Sequence, residues 1–287
     1  MMTEIEQQVI QHIVSNALAE DIGDGDHSSL ACIPANAMGD ARLIVKDTGV
    51  LAGVRLAKIV CATVDDSLLF EELIPDGSSV EPGQIAFTLH GSARSILAAE
   101  RTLLNFMQRM SGIATLTAEL VGLLKGTKTQ LLDTRKTTPG IRYMEKWAVR
   151  IGGGVNHRFA LYDMIMLKDN HVDFSGGIAQ AIQRTQDYLK ANNRSLKVEI
   201  EVRNLDELDQ VLAIGQVDRI MLDNFSPALL KEAITRIDGR YETEASGGIV
   251  KETLRTYAET GVDFISVGAL THSYKSLDLS LKATFQL

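Results

Sequence analysis

The chain has 287 residues, 45% hydrophobic and 23% charged, with a net charge of −8 and a pI near 5.3. That balance belongs to a globular protein in solution and argues against general binding to nucleic acid or anionic membranes. No apolar run approaches the roughly 20 residues of a membrane span, and the start Met-Met-Thr-Glu-Ile-Glu has neither a basic nor an apolar leader region. Two cysteines without metal spacing, Cys32 and Cys61, read as small buried thiols of a cytoplasmic protein.

Residues 5–18 predict an amphipathic helix, because Ile10, Ile13, Val14, Ala17 and Leu18 share one face. The carboxylates of Asp21-Ile22-Gly23-Asp24-Gly25-Asp26 alternate like the start of a calcium loop. Cys32 stands where such a loop needs a bidentate Glu, so the segment reads as an acidic turn. Short β-like runs at 41–46, 50–53, 68–73 and 84–89 predict a small sheet, with turns at Pro75-Asp76-Gly77 and Glu81-Pro82-Gly83. Residues 95–124 predict a long helix with Leu103, Phe106, Met107, Met110 and Ile113 on one stripe, and a domain boundary falls inside or just after it. From 130 onward the rhythm is strand, loop, helix. Strands are expected at 130–133, 162–167, 197–202, 218–223, 240–245 and 263–267. Helices are expected near 141–150, 176–192, 204–214, 226–237 and 249–260. Six strands alternating with helices predict an α/β fold with a parallel sheet, closed or partly closed into a barrel.

In such barrels function gathers where strands run into the following loops, and every expected strand end here is polar or glycine-rich. The ends are Asp133-Thr134-Arg135-Lys136, Lys168-Asp169-Asn170-His171, Glu199/Glu201, Asp223-Asn224, Ser246-Gly247-Gly248 and Val267-Gly268-Ala269. Between Arg135 and His171 stand seven Lys or Arg and two His against three acids, in a chain that is acidic overall. Cations concentrated in this way imply an anionic ligand. The two glycine clusters, on adjacent final strands and before helical patterns, suit a phosphate cradle of backbone N–H groups. Glu201 and Asp223, on neighbouring strand ends, suit Mg²⁺, sugar hydroxyls or a cationic transition state. Glu199 shares the face of Glu201 but lies deeper, as a structural partner would. Gly152-Gly153-Gly154 either brings backbone close to a ligand or makes a tight connection. His12, His27 and His90 stand alone and read as surface or packing residues. No zinc-binding pattern is present.

These segments resemble the quinolinate phosphoribosyltransferases over almost the whole chain. The resemblance rests on Leu18–Gly23 with Gly25-Asp26, Glu100–Asn105, Met110–Thr115, the blocks at 133–140, 152–158 and 167–171, then Met221–Asn224, Ser246–Ile249 and Val267–Ser273. Departures are Trp147 and Phe159 where Tyr is expected, Ala160 in place of Gly, and His27-Ser28 in place of an apolar residue and Thr. One extra residue also lies between Glu201 and Asp223, placed in the loop 215–217. The resemblance implies an N-terminal α/β sandwich (1–113, joined by the tail 275–287) and an open barrel of about six strands (114–274). It implies transfer of phosphoribosyl from 5-phosphoribosyl-1-pyrophosphate to quinolinate with decarboxylation, a step of NAD biosynthesis, with Mg²⁺ as cofactor. It also implies a homodimer or an assembly of dimers with shared sites.

Residue by residue, it implies Arg101 (from the partner subunit), Thr134, Arg135, His157, Arg158 and Lys168 for quinolinate. For phosphoribosyl pyrophosphate it implies Lys136, Lys168, Glu201, Asp223, Ser246, Gly247, Gly248, Val267, Gly268 and Ala269. Lys136, Glu201 and Asp223 are the catalytic candidates, and Mg²⁺ is held through Glu201 and Asp223. A Schiff-base aldolase using Lys168, a non-catalytic anion-binding barrel and a molybdenum-locus relative of the same fold are the competing readings.

Overall fold

The computed structural model describes residues 3–284; residues 1–2 and 285–287, the outer ends of the expected first domain and tail, lie outside the described residues. In chain order the elements are Glu4–Ile22 (α1), His27–Cys32 (α2), Met38–Val45 (β1), Gly49–Val50 (β2), Val54–Val64 (α3), Leu69–Glu72 (β3), Ser79–Val80 (β4), Ile85–Ser92 (β5) and Ala93–Leu123 (α4). There follow Gln130–Leu132 (β6), Arg142–Ile151 (α5), Ile165–Leu167 (β7), Asp169–Ser175 (α6), Ile178–Ala191 (α7), Val198–Val202 (β8), Leu205–Ile214 (α8) and Arg219–Asp223 (β9). The last are Pro227–Ile237 (α9), Glu242–Ser246 (β10), Lys251–Ala258 (α10), Phe264–Ser266 (β11), Ala269–His272 (α11) and Leu279–Thr284 (β12). Two compact units emerge. One contains 1–118, 137–153 and 269–287; the other contains 119–136 and 154–268.

The first unit is built on an antiparallel sheet of order β12-β1-β5-β3. Strand β1 alternates strictly, so Ala41, Leu43 and Val45 point inward while Arg42 faces out. Leu43 pairs with Phe87 on one side and Leu281 on the other, which makes the C-terminal strand part of this core. Helix α1 begins with a capping box, in which Thr3 accepts from the Glu6 N–H and Glu6 accepts from the Thr3 N–H. Its buried stripe is Ile10, Ile13, Val14 and Leu18. Helix α3 was not expected from the sequence. Its N-cap, Gly53, has no capping side chain; instead Asp76, far along the chain, accepts from the Val54 N–H at 2.8 Å. Cys61 is buried on α3, but Cys32 is exposed at the end of α2, against expectation, because that short helix buries only Ser29.

The segment 137–153 groups with the first unit rather than with the parallel sheet. An ion pair ties this segment to α4. Arg109 of α4 donates through Nε (2.8 Å) and Nη2 (2.5 Å) to the fully buried Glu145 of α5, and Glu145 also accepts the Thr138 N–H. At the end of α5, a Cβ on Gly152 would lie 2.5 Å from the Ala114 carbonyl oxygen and 2.6 Å from Thr117 Cβ. The triple glycine is therefore a tight helix connection, with Gly152 supplying the close approach to α4. Gly152→Ala is expected to destabilise the fold by about 2 kcal/mol through overpacking, read as a lower denaturant midpoint with an unchanged slope.

The second unit holds a six-stranded, all-parallel sheet of order β6-β11-β10-β9-β8-β7, flanked by α6 to α10. Its buried strands read VEIEV and RIMLD, near-continuous apolar runs interrupted by inward-facing charges. β6 and β7 are the two edges of this open barrel. Beside β6, Val155 makes a parallel bridge to Leu132, with Val155 N–H donating to the Leu131 carbonyl at 2.8 Å. The chain from Val155 then runs through the loop 156–164 into β7. Among the described residues, no helix is long and apolar enough to cross a membrane.

Candidate active site

Parallel strands present all their C-terminal ends along one edge, so the polar ends expected from sequence are brought together here. At the end of β6, Thr134 accepts the Lys136 N–H at 3.0 Å, shaping the turn that carries Arg135 and Lys136 into solvent. At the end of β7, Lys168 is the N-cap of α6 and its N–H donates to His171 Nδ1 at 3.0 Å. The half-exposed Lys168 ammonium lies 3.2 Å from Glu201 Oε2 of β8. Asp223 ends β9 and accepts from Asn224 Nδ2 at 2.6 Å. Burial pushes the Glu201 pKa up; the Lys168 charge opposes this and the Asp223 charge adds to it. Burial likewise pushes Asp223 up, against the pull of Lys168, Asn224 and Lys136. Two carboxylates and two lysines thus share one field.

Arg158 completes the cationic side. Its Nη1 donates to the Met164 carbonyl at 3.2 Å. Burial and then the nearby Arg135 charge lower its pKa, and Glu199 and Asp163 oppose them. The Asp163 carboxylate accepts the N–H groups of Phe159 and Ala160 at 2.6 and 2.7 Å, which folds the loop after Arg158 back on itself. At the end of β10, Gly247 has φ +92°, and a Cβ there would sit 2.9 Å from the Asn224 backbone nitrogen. Only glycine fits both the conformation and the space. Asn224 is itself left-handed at φ +56° and donates its N–H to the Ser246 carbonyl at 2.8 Å. Val267 donates its N–H to the Leu132 carbonyl, and Gly268 follows it; Ala269 opens the short α11. Arg101 is an exposed residue of α4 in the first unit.

His157 lies deeper than Arg158. It is buried inside the barrel, with Nε2 2.9 Å from Glu199 Oε2 and 3.3 Å from Glu244 Oε2, and the Arg158 N–H donates to its Nδ1 at 2.6 Å. Both ring nitrogens face protein groups. Glu199 is the deep structural partner, which leaves Glu201 as the carboxylate of the mouth. Glu244 went unassigned in the sequence, although its two-residue alternation with Glu242 repeats that of Glu199 and Glu201. His157, Glu199 and Glu244 offer three ligand atoms within 4.8 Å of one another, a spacing that a metal ion could use. Charge balance favours a proton instead. Arg219 Nη1 lies 3.3 Å from Glu244, so one guanidinium and one extra proton neutralise the two carboxylates. Burial works against a charged His157, but Glu199 and Glu244 outweigh it and push it up to about 9. Burial and the Glu244 charge push Glu199 up to about 7. The two compete for that proton, and an Arg158 N–H directed at Nδ1 favours the Glu199 side.

A parallel barrel whose mouth gathers Arg135, Lys136, Arg158 and Lys168 beside Glu201 and Asp223 defines an α/β-barrel enzyme for small anionic substrates. The sequence model of the quinolinate phosphoribosyl transferase C-terminal domain matches residues 113–282, and that of the N-terminal domain matches 26–111. The chain belongs to the quinolinate phosphoribosyltransferase family. It is 43% identical to quinolinate phosphoribosyltransferase [decarboxylating] 2b, mitochondrial, of Nicotiana tabacum over 97% of this chain and 83% of that one. It is 39% identical to the probable nicotinate-nucleotide pyrophosphorylase [carboxylating] of Bacillus subtilis, over 96% and 93% of the two chains. Among solved structures, NadC from Streptococcus pyogenes superposes with a TM-score of 0.92 at 39% identity, covering 100% of this chain and 99% of that one.

Proposed function

We propose that this chain transfers the phosphoribosyl group of 5-phosphoribosyl-1-pyrophosphate to quinolinate, releasing pyrophosphate and CO₂ and leaving nicotinate mononucleotide. Family membership supports the reaction. The observation that carries it to these residues is the pairing of two mutually repelling arginines, Arg135 and Arg158, with the Lys168–Glu201–Asp223 group on adjoining strand ends. Quinolinate bears two adjacent carboxylates, and guanidinium forks bind a carboxylate at two points. Neutralising those charges lets the pyridine nitrogen approach an anionic sugar phosphate. The nitrogen lone pair forms the bond to ribose C1 as the C1–oxygen bond breaks and pyrophosphate departs with the electron pair. Lys136 stabilises the growing negative charge, and Glu201 and Asp223 stabilise the positive ring or hold its hydroxyls. The 5-phosphate rests on Ser246–Gly248 with Val267 and Gly268. The C2–carboxylate bond then breaks as CO₂ leaves, and its electron pair stays on C2, stabilised by the adjacent positive nitrogen, until C2 takes a proton.

Glu201 and Asp223 suit Mg²⁺, since they are oxygen donors whose pKa values are both raised by burial and, for Glu201, by the charge of Asp223. Bound there, Mg²⁺ would supply charge neutralisation for the phosphates. A lysine already committed to Glu201 serves as an anion-binding cation rather than a Schiff-base nucleophile, so the aldolase reading is set aside. The working unit is a homodimer or an assembly of dimers, to which the partner contributes the exposed cation Arg101, and its compartment is the cytoplasm. An absorbance and CO₂-release assay with quinolinate, nicotinate and nicotinamide as competing acceptors tests the reaction; turnover of quinolinate alone is expected. Subunits carrying Arg101→Ala mixed with subunits carrying Lys168→Ala are expected to regain activity that neither has alone. No recovery in demonstrably mixed dimers would reject the shared site.

A further inference from the structure

We propose that Asp133 is a positioning residue for quinolinate binding: its buried carboxylate holds the segment 156–158, and with it Arg158, against the segment 134–136. The inference rests on the functional reading above. Asp133 is fully buried, so it does not touch substrate. It directly precedes Thr134-Arg135-Lys136, and its side chain reaches across to the other basic segment. Oδ1 accepts the His157 N–H at 2.8 Å, and Oδ2 accepts Asn156 Nδ2 at 2.6 Å. Its own N–H donates to the Val155 carbonyl at 3.2 Å, continuing the bridge along the edge of β6.

An ionised carboxylate has only acceptors, and here both oxygens meet donors of one short segment. The bonds fix that segment in rotation as well as position, because one donor is backbone and the other is side chain. Arg158 is the next residue. Its backbone N–H is turned onto His157 Nδ1 and its guanidinium onto the Met164 carbonyl. The fork that would meet a carboxylate of quinolinate is therefore aimed from Asp133. The same residue begins the turn that carries Arg135, so one buried group sets the distance between the two arginines. Those two bonds go to the segment 156–158, whereas Glu201 and Asp223 belong to β8 and β9.

That asymmetry gives the test. Asp133→Asn keeps an acceptor for the His157 N–H but turns one amide against the other at Asn156. Asn156→Asp sets two carboxylates against each other. The double variant Asp133→Asn/Asn156→Asp restores a donor–acceptor pair with its direction reversed. Each single variant is expected to raise KM for quinolinate about tenfold or more, with KM for phosphoribosyl pyrophosphate within about threefold of the wild type. The double variant is expected to recover most of the loss. Should a variant at 133 fail to fold, Asn156→Ala, which removes the side-chain donor to Asp133, reads the same split. Equal changes in both KM values, or a fall in Tm without a selective rise in KM for quinolinate, would overturn the assignment. Wild-type protein that neither turns over nor binds quinolinate would instead overturn the functional reading.

Discussion

Arg135→Ala is expected to lower kcat/KM for quinolinate about a hundredfold or more, chiefly through KM, because it removes one half of a charged pair that meets a dianion. The residue is exposed at the end of β6, so its loss leaves the fold intact. Its neighbour Arg158 would lose the like charge that, after burial, lowers its pKa. Asp223→Ala makes the contrast. It removes charge from the Lys168–Glu201 group, where burial already raises the pKa of both carboxylates. Its effect should fall on kcat by about a hundredfold or more, with KM for quinolinate nearly unchanged. Steady-state kinetics with each substrate varied in turn checks both. If the two variants fail in the same parameter, the division of the mouth into a quinolinate side and a ribose side is wrong.

The grouping of these charged residues was legible in the sequence because strand ends carry function in a parallel barrel, and the alternation of strands and helices from 130 onward marks those ends. Lys168, Glu201 and Asp223 each stand at such an end, and they share one electrostatic neighbourhood in the structure. The parts that escaped depend on partners distant in sequence. Helix α3 has no local start signal, since its first N–H is capped by Asp76. The segment 137–153 looks like a barrel helix by rhythm, yet Glu145 sits in the first unit under Arg109. His157 lies between two cationic signatures and reads as a ligand-binding histidine. Only the fold shows Glu199 and Glu244 arriving beneath it from two other strands. Composition and spacing locate charges along a chain but do not pair them across a barrel.

The strongest consequence of that pairing concerns stability rather than rate. Glu244→Ala is expected to cost about 3 kcal/mol, since it breaks a buried ionic network and takes from His157 Nε2 and Arg219 a carboxylate that both of them face. Arg219 keeps Glu242 at 3.0 Å, which limits the loss. The wild type should also lose stability as the medium turns alkaline. Glu199 is raised from 4.5 to about 7 and His157 from 6.5 to about 9. A group whose pKa is raised on folding contributes stability that is complete below its unfolded value and lost as pH rises through its folded value. Both groups therefore act in the same direction, whichever of them holds the shared proton. Because they share one proton, one window applies: 4.5 to 7 with the proton on Glu199, the side the Arg158 N–H favours, and 6.5 to 9 were it on His157. Urea titrations at pH steps across that span should show the midpoint falling. Glu244→Gln keeps the shape but removes the charge that raises both neighbours, so its midpoint should fall less over the same span. A Glu244→Gln protein with the same pH dependence as the wild type would show that the proton is not held by this cluster.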